Sequence, residues 1–193
     1  MSYGIDLIRK GIEALKPARW IAALGAFGLF ASPAHAQSVN SVDTQAALLE
    51  PLSIVKLADM DFGDLIVTTG GTVVLTADPV PTCTTTGGVV HTEECQPATF
   101  AGLGGAGQRL RIRRPVGRTI TLTGPGADMT VNDITIDGGV SLNRVNSNPN
   151  WERFLINTFD GSFIFRVGGT LNVNPNQLPG VYTGTFEIRA DYQ

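Results

Sequence analysis

The sequence predicts an all-β protein whose antiparallel strands pack as a β-sandwich, and three observations carry that prediction. The 193 residues include Gly 23 and Pro 11 with only 16% charged side chains, a turn-rich composition. Beyond residue 36, apolar residues recur at period two in short runs separated by Gly, Pro, Asn and Asp, and no run has helical periodicity. The last stretch is the clearest. Tyr182, Gly184, Phe186, Ile188, Ala190 and Tyr192 fall on one face, and Thr183, Thr185, Glu187, Arg189 and Asp191 fall on the other. A strand over 181–192 that is apolar on one side only must lean on something else.

Residues 1–36 read as an address. Arg9, Lys10, Lys16 and Arg19 make a positive region, long for a signal peptide, and residues 20–31 (WIAALGAFGLFA) make an apolar run. Ala34, His35 and Ala36 then form a small-residue cleavage site before Gln37. The apolar run is too short to span a bilayer, which takes about 20 residues. The expectation is a cleaved signal peptide, export to the periplasm, cell surface or medium, and no transmembrane segment afterwards. Beyond residue 36 there are ten Lys and Arg against fifteen Asp and Glu, an acidic balance that argues against a nucleic-acid partner. The remaining 157 residues suffice for one sandwich core.

Taken in order, residues 37–45 (QSVNSVDTQ) read as a flexible extension and 46–193 as a single domain. Residues 46–57 form an extended segment split by Pro51, which suits an edge strand or a strand that changes partner. Asp59, Asp61 and Asp64 lie in a turn with Phe62 anchored in the core, and their spacing lacks the twelve-residue calcium loop. Residues 66–67 and 72–76 read as a strand pair around Gly70 and Gly71. Cys83 and Cys95 bound a Thr/Gly-rich excursion, and in an oxidising compartment the pair predicts a disulfide pinning a surface loop over 83–95. His91, Glu93 and Glu94 between them offer a metal alternative, but two cysteines without a C-x-x-C pair are poor zinc spacing. Residues 98–103 form a short strand and 104–107 a glycine turn. That turn is no phosphate loop, because no helix and no Gly-Lys-Ser/Thr follow it.

Residues 108–114 (QRLRIRR) place Leu110 and Ile112 on one face and Arg109, Arg111 and Arg113 on the other. Such a ladder is either the wet face of a strand or a grip for an acidic polysaccharide or a neighbouring subunit. Residues 119–123 bury Ile120 and Leu122. Residues 128–131 and 134–137 change face at Asn132 and Asp133, which predicts a bulge or tight turn. Residues 140–142 begin another strand, and 143–150 (NRVNSNPN) read as a polar loop. Trp151 then either stacks on a sugar ring or packs with Phe154 and Ile156 at the core rim. Near the end, Phe163, Phe165 and Val167 share a face, Gly168 and Gly169 supply a turn, and Leu171 and Val173 share the next face. Residues 174–180 form a loop, and the total is nine or ten strands.

PLSIVKLADMDFG at 51–63, ITLTG at 120–124, and F-x-V-G-G-T-L-x-V at 165–173 followed by P-G-x-Y-x-G-x-F at 179–186 together resemble domain-of-unknown-function family 4402 of exported proteobacterial proteins. The resemblance covers most of 46–193, with the cysteine loop and the NRVNSNPNWER stretch standing as additions. The layout is similar to spore-coat-U-like and chaperone–usher pilin domains, which implies an immunoglobulin-like, pilin-like sandwich that lacks one strand. Pilins end in an alternating strand with a penultimate aromatic, here Tyr192, and a glycine about a dozen residues earlier, here Gly180. The resemblance implies an acceptor strand bearing Tyr182, Phe186, Ile188, Ala190 and Tyr192, served first by a periplasmic chaperone and an outer-membrane usher and then by the next subunit. Two departures stand out. Residues 38–49 put Val39, Ala47 and Leu49 on one face and Val42, Ala46 and Leu48 on the other, and the cysteines sit in a mid-chain loop.

Catalysis is not expected. His91 is the single histidine beyond residue 36, and the chain has no nucleophile elbow, metal-ligand cluster or phosphate loop, so no metal or cofactor is expected. Two functions remain: a structural subunit of a surface fibre, polymerised by strand exchange, and a self-complete exported module that binds a glycan or envelope component through Trp151, the arginine strand or the cysteine loop.

Overall fold

The computed structural model of the protein describes Gln45, Ala46 and residues 48–193. The signal peptide, its cleavage site at Ala36 and Gln37, and the extension up to residue 44 lie outside the described residues. The compact unit spans Ala46–Gln193. It is all-β: eleven strands and one short 3-10 turn, Val116–Arg118, with no α-helix among the described residues. No helix there is long and apolar enough to cross a membrane.

The strands are β1 (Ser53–Ala58), β2 (Leu65–Leu75), β3 (Cys83–His91), β4 (Ala98–Leu103), β5 (Arg109–Arg113), β6 (Ile120–Leu122), β7 (Met129–Asp137), β8 (Leu142–Asn148), β9 (Trp151–Ile156), β10 (Ser162–Val173) and β11 (Arg189–Tyr192). Seven build the first sheet, in the order β1-β4-β10-β2-β3 with β7 also on β10 and β6 on β7. Four build the second, in the order β11-β5-β9-β8. Every pairing is antiparallel.

One apolar cluster draws on both sheets, which makes the arrangement a sandwich. Its centre is the row Phe163, Phe165, Val167, Leu171 and Val173 of β10, each at most 5% exposed. Phe100 of β4 stacks on Phe165 with centroids 5.0 Å apart. Leu110 and Ile112 of β5 and Phe154 and Ile156 of β9 close the core from the second sheet. Phe62 is buried as expected from the turn that holds it.

Four expectations need correction. Gly168 and Gly169 do not turn the chain; they lie inside β10. A Cβ on Gly168 would meet the backbone of Leu75 and Ala77, and one on Gly169 would sit 2.8 Å from Val131 Cγ1. The glycines therefore serve close approach between strands. Gly70 and Gly71 likewise lie inside a continuous β2, which shifts register against β3 between Val67 and Gly71. The stretch after Cys83 is not a loop but edge strand β3, rich in Thr and Val, with the Thr72 and Thr86 hydroxyls 2.7 Å apart across the pair. Most of the polar stretch 143–150 is edge strand β8, where paired backbone rather than apolar side chains defines the element. The expected irregularity at Asn132 and Asp133 is present: Asp133 has φ 46° and the β7–β10 register shifts there.

Cys83 and Cys95 form the disulfide. It ties the start of β3 to the chain just before β4. Closing a loop of this length is worth about 3 kcal/mol through the unfolded chain. Reduction, or the Cys83→Ser/Cys95→Ser pair, should therefore lower urea-unfolding stability by about that amount while leaving the far-ultraviolet circular dichroism of the sheets intact.

Candidate functional site

The C-terminal segment is not the single strand that its alternation predicts. Thr183 exchanges two backbone hydrogen bonds with Thr123 at the end of β6, donating at 3.0 Å and accepting at 2.8 Å, and so belongs to the first sheet's edge. Four residues of β11 then pair with β5 in the second sheet. The segment thus crosses from one sheet to the other. In crossing, residues 184–188 have no ladder partner among the described residues. Gly184 permits the departure, since a Cβ there would strike the Thr121 carbonyl.

A tyrosine fixes each end. The Tyr182 hydroxyl accepts from Gly126 N at 3.0 Å and donates to the Leu178 carbonyl at 2.8 Å. The Tyr192 hydroxyl accepts from Gly105 N at 2.7 Å and donates to the Glu50 carbonyl at 2.9 Å. Between them Phe186, Ile188 and Ala190 pack against the core, yet all five of these side chains remain only half-buried. The outer edge of β11 carries no strand among the described residues.

Register brings the arginine strand and Trp151 together. Arg113 faces Trp151 on β9 and Arg189 on β11; Arg111 faces Arg153 and Asp191; Arg109 faces Leu155. Directly opposed residues of an antiparallel pair project to the same side, so all of these share the outer face of the second sheet. Asp191 receives both Arg111 Nε and an Arg111 terminal nitrogen at 2.7–3.1 Å, with Arg113 Nε at 3.4 Å. The Arg111 hydrogen bonds hold the Asp191 carboxyl below its ordinary range, and the same bonds raise the Arg111 guanidinium. The Arg153 guanidinium lies over the Trp151 ring, 4.5 Å from its centroid.

A buried ionic cluster escapes the sequence reading. Glu152 is 2% exposed on the core side of β9. Arg114 donates to its Oε1, and Arg144 Nε lies 2.8 Å from Oε2 as an ion pair without hydrogen-bond alignment. Arg114 also donates to the Ile134 and Asn148 carbonyls, each at 2.7 Å, tying β7, β8 and β9 together. Burial pushes the Glu152 carboxyl up, against the pull of Arg144 and Arg114. The signal was present in the alternation: Glu152 shares a face with Phe154 and Ile156.

The ligand atoms of Cys83, Cys95 and His91 lie within 4.8 Å of one another, and His91 Nε2 is buried without a partner among the described residues. Joined as a disulfide, the sulfurs present no thiolate to a metal.

The two carboxylates give opposite pH signatures. Asp191 is depressed, so its stabilisation is complete above about pH 4 and is lost as pH falls through its folded-state pKa. Glu152 is raised, so stability falls as pH rises from about 4.3 to its folded-state pKa and is level above it. Urea midpoints between about pH 2 and 7 should show Asp191→Asn flattening the first limb and Glu152→Gln the second. Superimposed wild-type and Asp191→Asn profiles would contradict the β11 pairing. Glu152→Ala, which leaves the largely buried Arg114 without its carboxylate, should cost about 3 kcal/mol.

No match was found among curated proteins or among solved structures. The model of a family described as a domain of unknown function (DUF4402) matches residues 52–192, from the lead into β1 through the end of β11. The match spans both sheets, both tyrosine clamps and the arginine face, and the chain belongs to that family.

Proposed function

We propose that this protein is an exported, non-catalytic structural subunit of a surface fibre, whose copies join non-covalently by strand addition. The observation that carries the reading is the C-terminal row Tyr182, Phe186, Ile188, Ala190 and Tyr192. These side chains touch the core but stay half-buried, on a segment that among the described residues has no ladder partner over 184–188 and whose continuation β11 carries no strand on its outer edge. Unpaired backbone beside incompletely covered apolar surface favours an added strand.

Residues 38–49 are the donor in this reading. They precede β1, and Leu48 and Leu49 leave 101% and 51% of their surfaces exposed. A donor from a second copy would pair with the edge of β11 and cover Phe186 and Ile188. Before assembly, a periplasmic chaperone would hold that edge and an outer-membrane usher would pass the subunit on. The charged flank of the crossing segment, Glu187, Arg189 and Asp191, points away from the apolar row and would stay wet.

Sheared surface material, run unheated and heated on a denaturing gel, should give a ladder that collapses to a monomer band only on heating. Deleting residues 38–49 should abolish the ladder and leave the thermal unfolding of the monomer unchanged. A monomer band in both lanes, or a deletion that unfolds the domain, would overturn the reading in favour of a self-complete module.

A further inference from the structure

We infer that the outer face of the second sheet is a binding surface for an acidic polysaccharide, gripped through carboxylates on the glycan. The inference does not depend on fibre assembly. Ten Lys and Arg follow residue 36, and five of them, Arg109, Arg111, Arg113, Arg153 and Arg189, lie on this one face of a chain whose net charge is −3.

The cross-strand arrangement is unfavourable as it stands. Arg111 faces Arg153 and Arg113 faces Arg189, two like-charged pairs directly opposed in the ladder. Asp191 is the one carboxylate these strands put on the face, and Arg111 and Arg113 already take it up. Among the described residues Arg189 pairs only with Glu187, at 3.2 Å with both side chains largely in solvent. Arg153 stacks on Trp151, and its Nε is buried without a partner among the described residues. An external anion relieves the repulsion between the opposed arginines, and guanidinium forks match carboxylates in two-point geometry.

The rest of the face selects the polymer. At the paired positions of β5, β9 and β11 the apolar side chains on this face are Leu155 and the capped Trp151, both half-buried, so none of these protrudes to enter a lipid layer. On β8, Asn143 and Asn146 extend the Leu155 and Arg153 rows with uncharged amides suited to sugar hydroxyls. A single extended glycan touches this face alone. A membrane plane or a nucleic acid would also meet the acidic remainder of the protein, which repels both.

Polygalacturonate is the probe, with its affinity for the protein measured calorimetrically at low and high salt. It should bind at low salt and weaken as salt rises. Arg109→Gln/Arg153→Gln should weaken binding about tenfold or more, while Lys56→Gln/Arg118→Gln, removing equal charge elsewhere, should change it by no more than about threefold. If the double variant melts lower than wild type, Arg109→Gln alone, at an exposed position, should still weaken binding several-fold, about threefold or more. Absence of wild-type binding, equal losses in the two double variants, or tighter binding to single-stranded DNA or phosphatidylglycerol vesicles would each overturn the assignment.

Discussion

Strand β10 carries an apolar side chain inward at every second position except Gly169, and the rest of the sandwich takes its place from that row. Residues 162–167 pair with β4 and 169–173 with β2, while β7 pairs across both stretches. Thr170, Leu171 and Asn172 bond to β2 and β7 at once, so those two strands occupy opposite edges. One strand thus serves three partners, and the first sheet branches where Gly168 and Gly169 let neighbouring backbone come close. Side chains at either position would force β2 or β7 away and open the core beneath Phe165 and Val167. The outcome is a sheet of seven strands facing one of four. The narrower sheet ends in β11, and the crossing segment before it must cover the core edge with side chains alone.

The second sheet separates charge by face. Inward, Glu152 is neutralised by Arg114 and Arg144 at the end where β7, β8 and β9 meet. Outward, arginine outnumbers carboxylate. The two faces are linked by alternation along β9, where Trp151 and Arg153 point out and Glu152 and Phe154 point in. Asp191 joins this electrostatics to the C-terminal edge, because the ion pair that holds β11 on β5 also uses up the one acid that β5, β9 and β11 put on the outer face. The apolar row and the cationic face therefore occupy opposite sides of the same terminal segment, and an added strand at the edge would leave the arginines exposed.

The fold class was legible because period-two alternation survives in nearly every strand, and Leu110/Ile112, Phe154/Ile156 and Phe163/Phe165/Val167 are buried as their spacing predicts. Glycine misled the reading. Gly70, Gly71, Gly168 and Gly169 look like turn residues, but what they answer to is backbone packed against them from strands distant in sequence, which no local pattern displays. Polar strands misled it in a second way: β8 and β3 are held by ladder bonds to β9 and β2, so their composition gave no apolar face to find. The C-terminal alternation looks like one strand because side-chain periodicity does not reveal which backbone it pairs with. The arginine ladder and Trp151 were each visible alone. Their union needed the β5–β9 register, and Glu152 needed its alternation with Phe154 to be weighed as a burial signal.

In the proposed fibre, the C-terminal edge takes up a strand that residues 38–49 of another copy supply. Amide hydrogen exchange of the isolated subunit, with and without a synthetic peptide of residues 38–49, tests it at single residues. Strand addition requires rapid exchange at Thr185, Phe186, Glu187 and Ile188 in the free subunit, and protection there and along the outer edge of β11 when the peptide is present. Slow exchange at these amides in the free subunit, unchanged by the peptide, would mean that the edge is already paired and would exclude strand addition there.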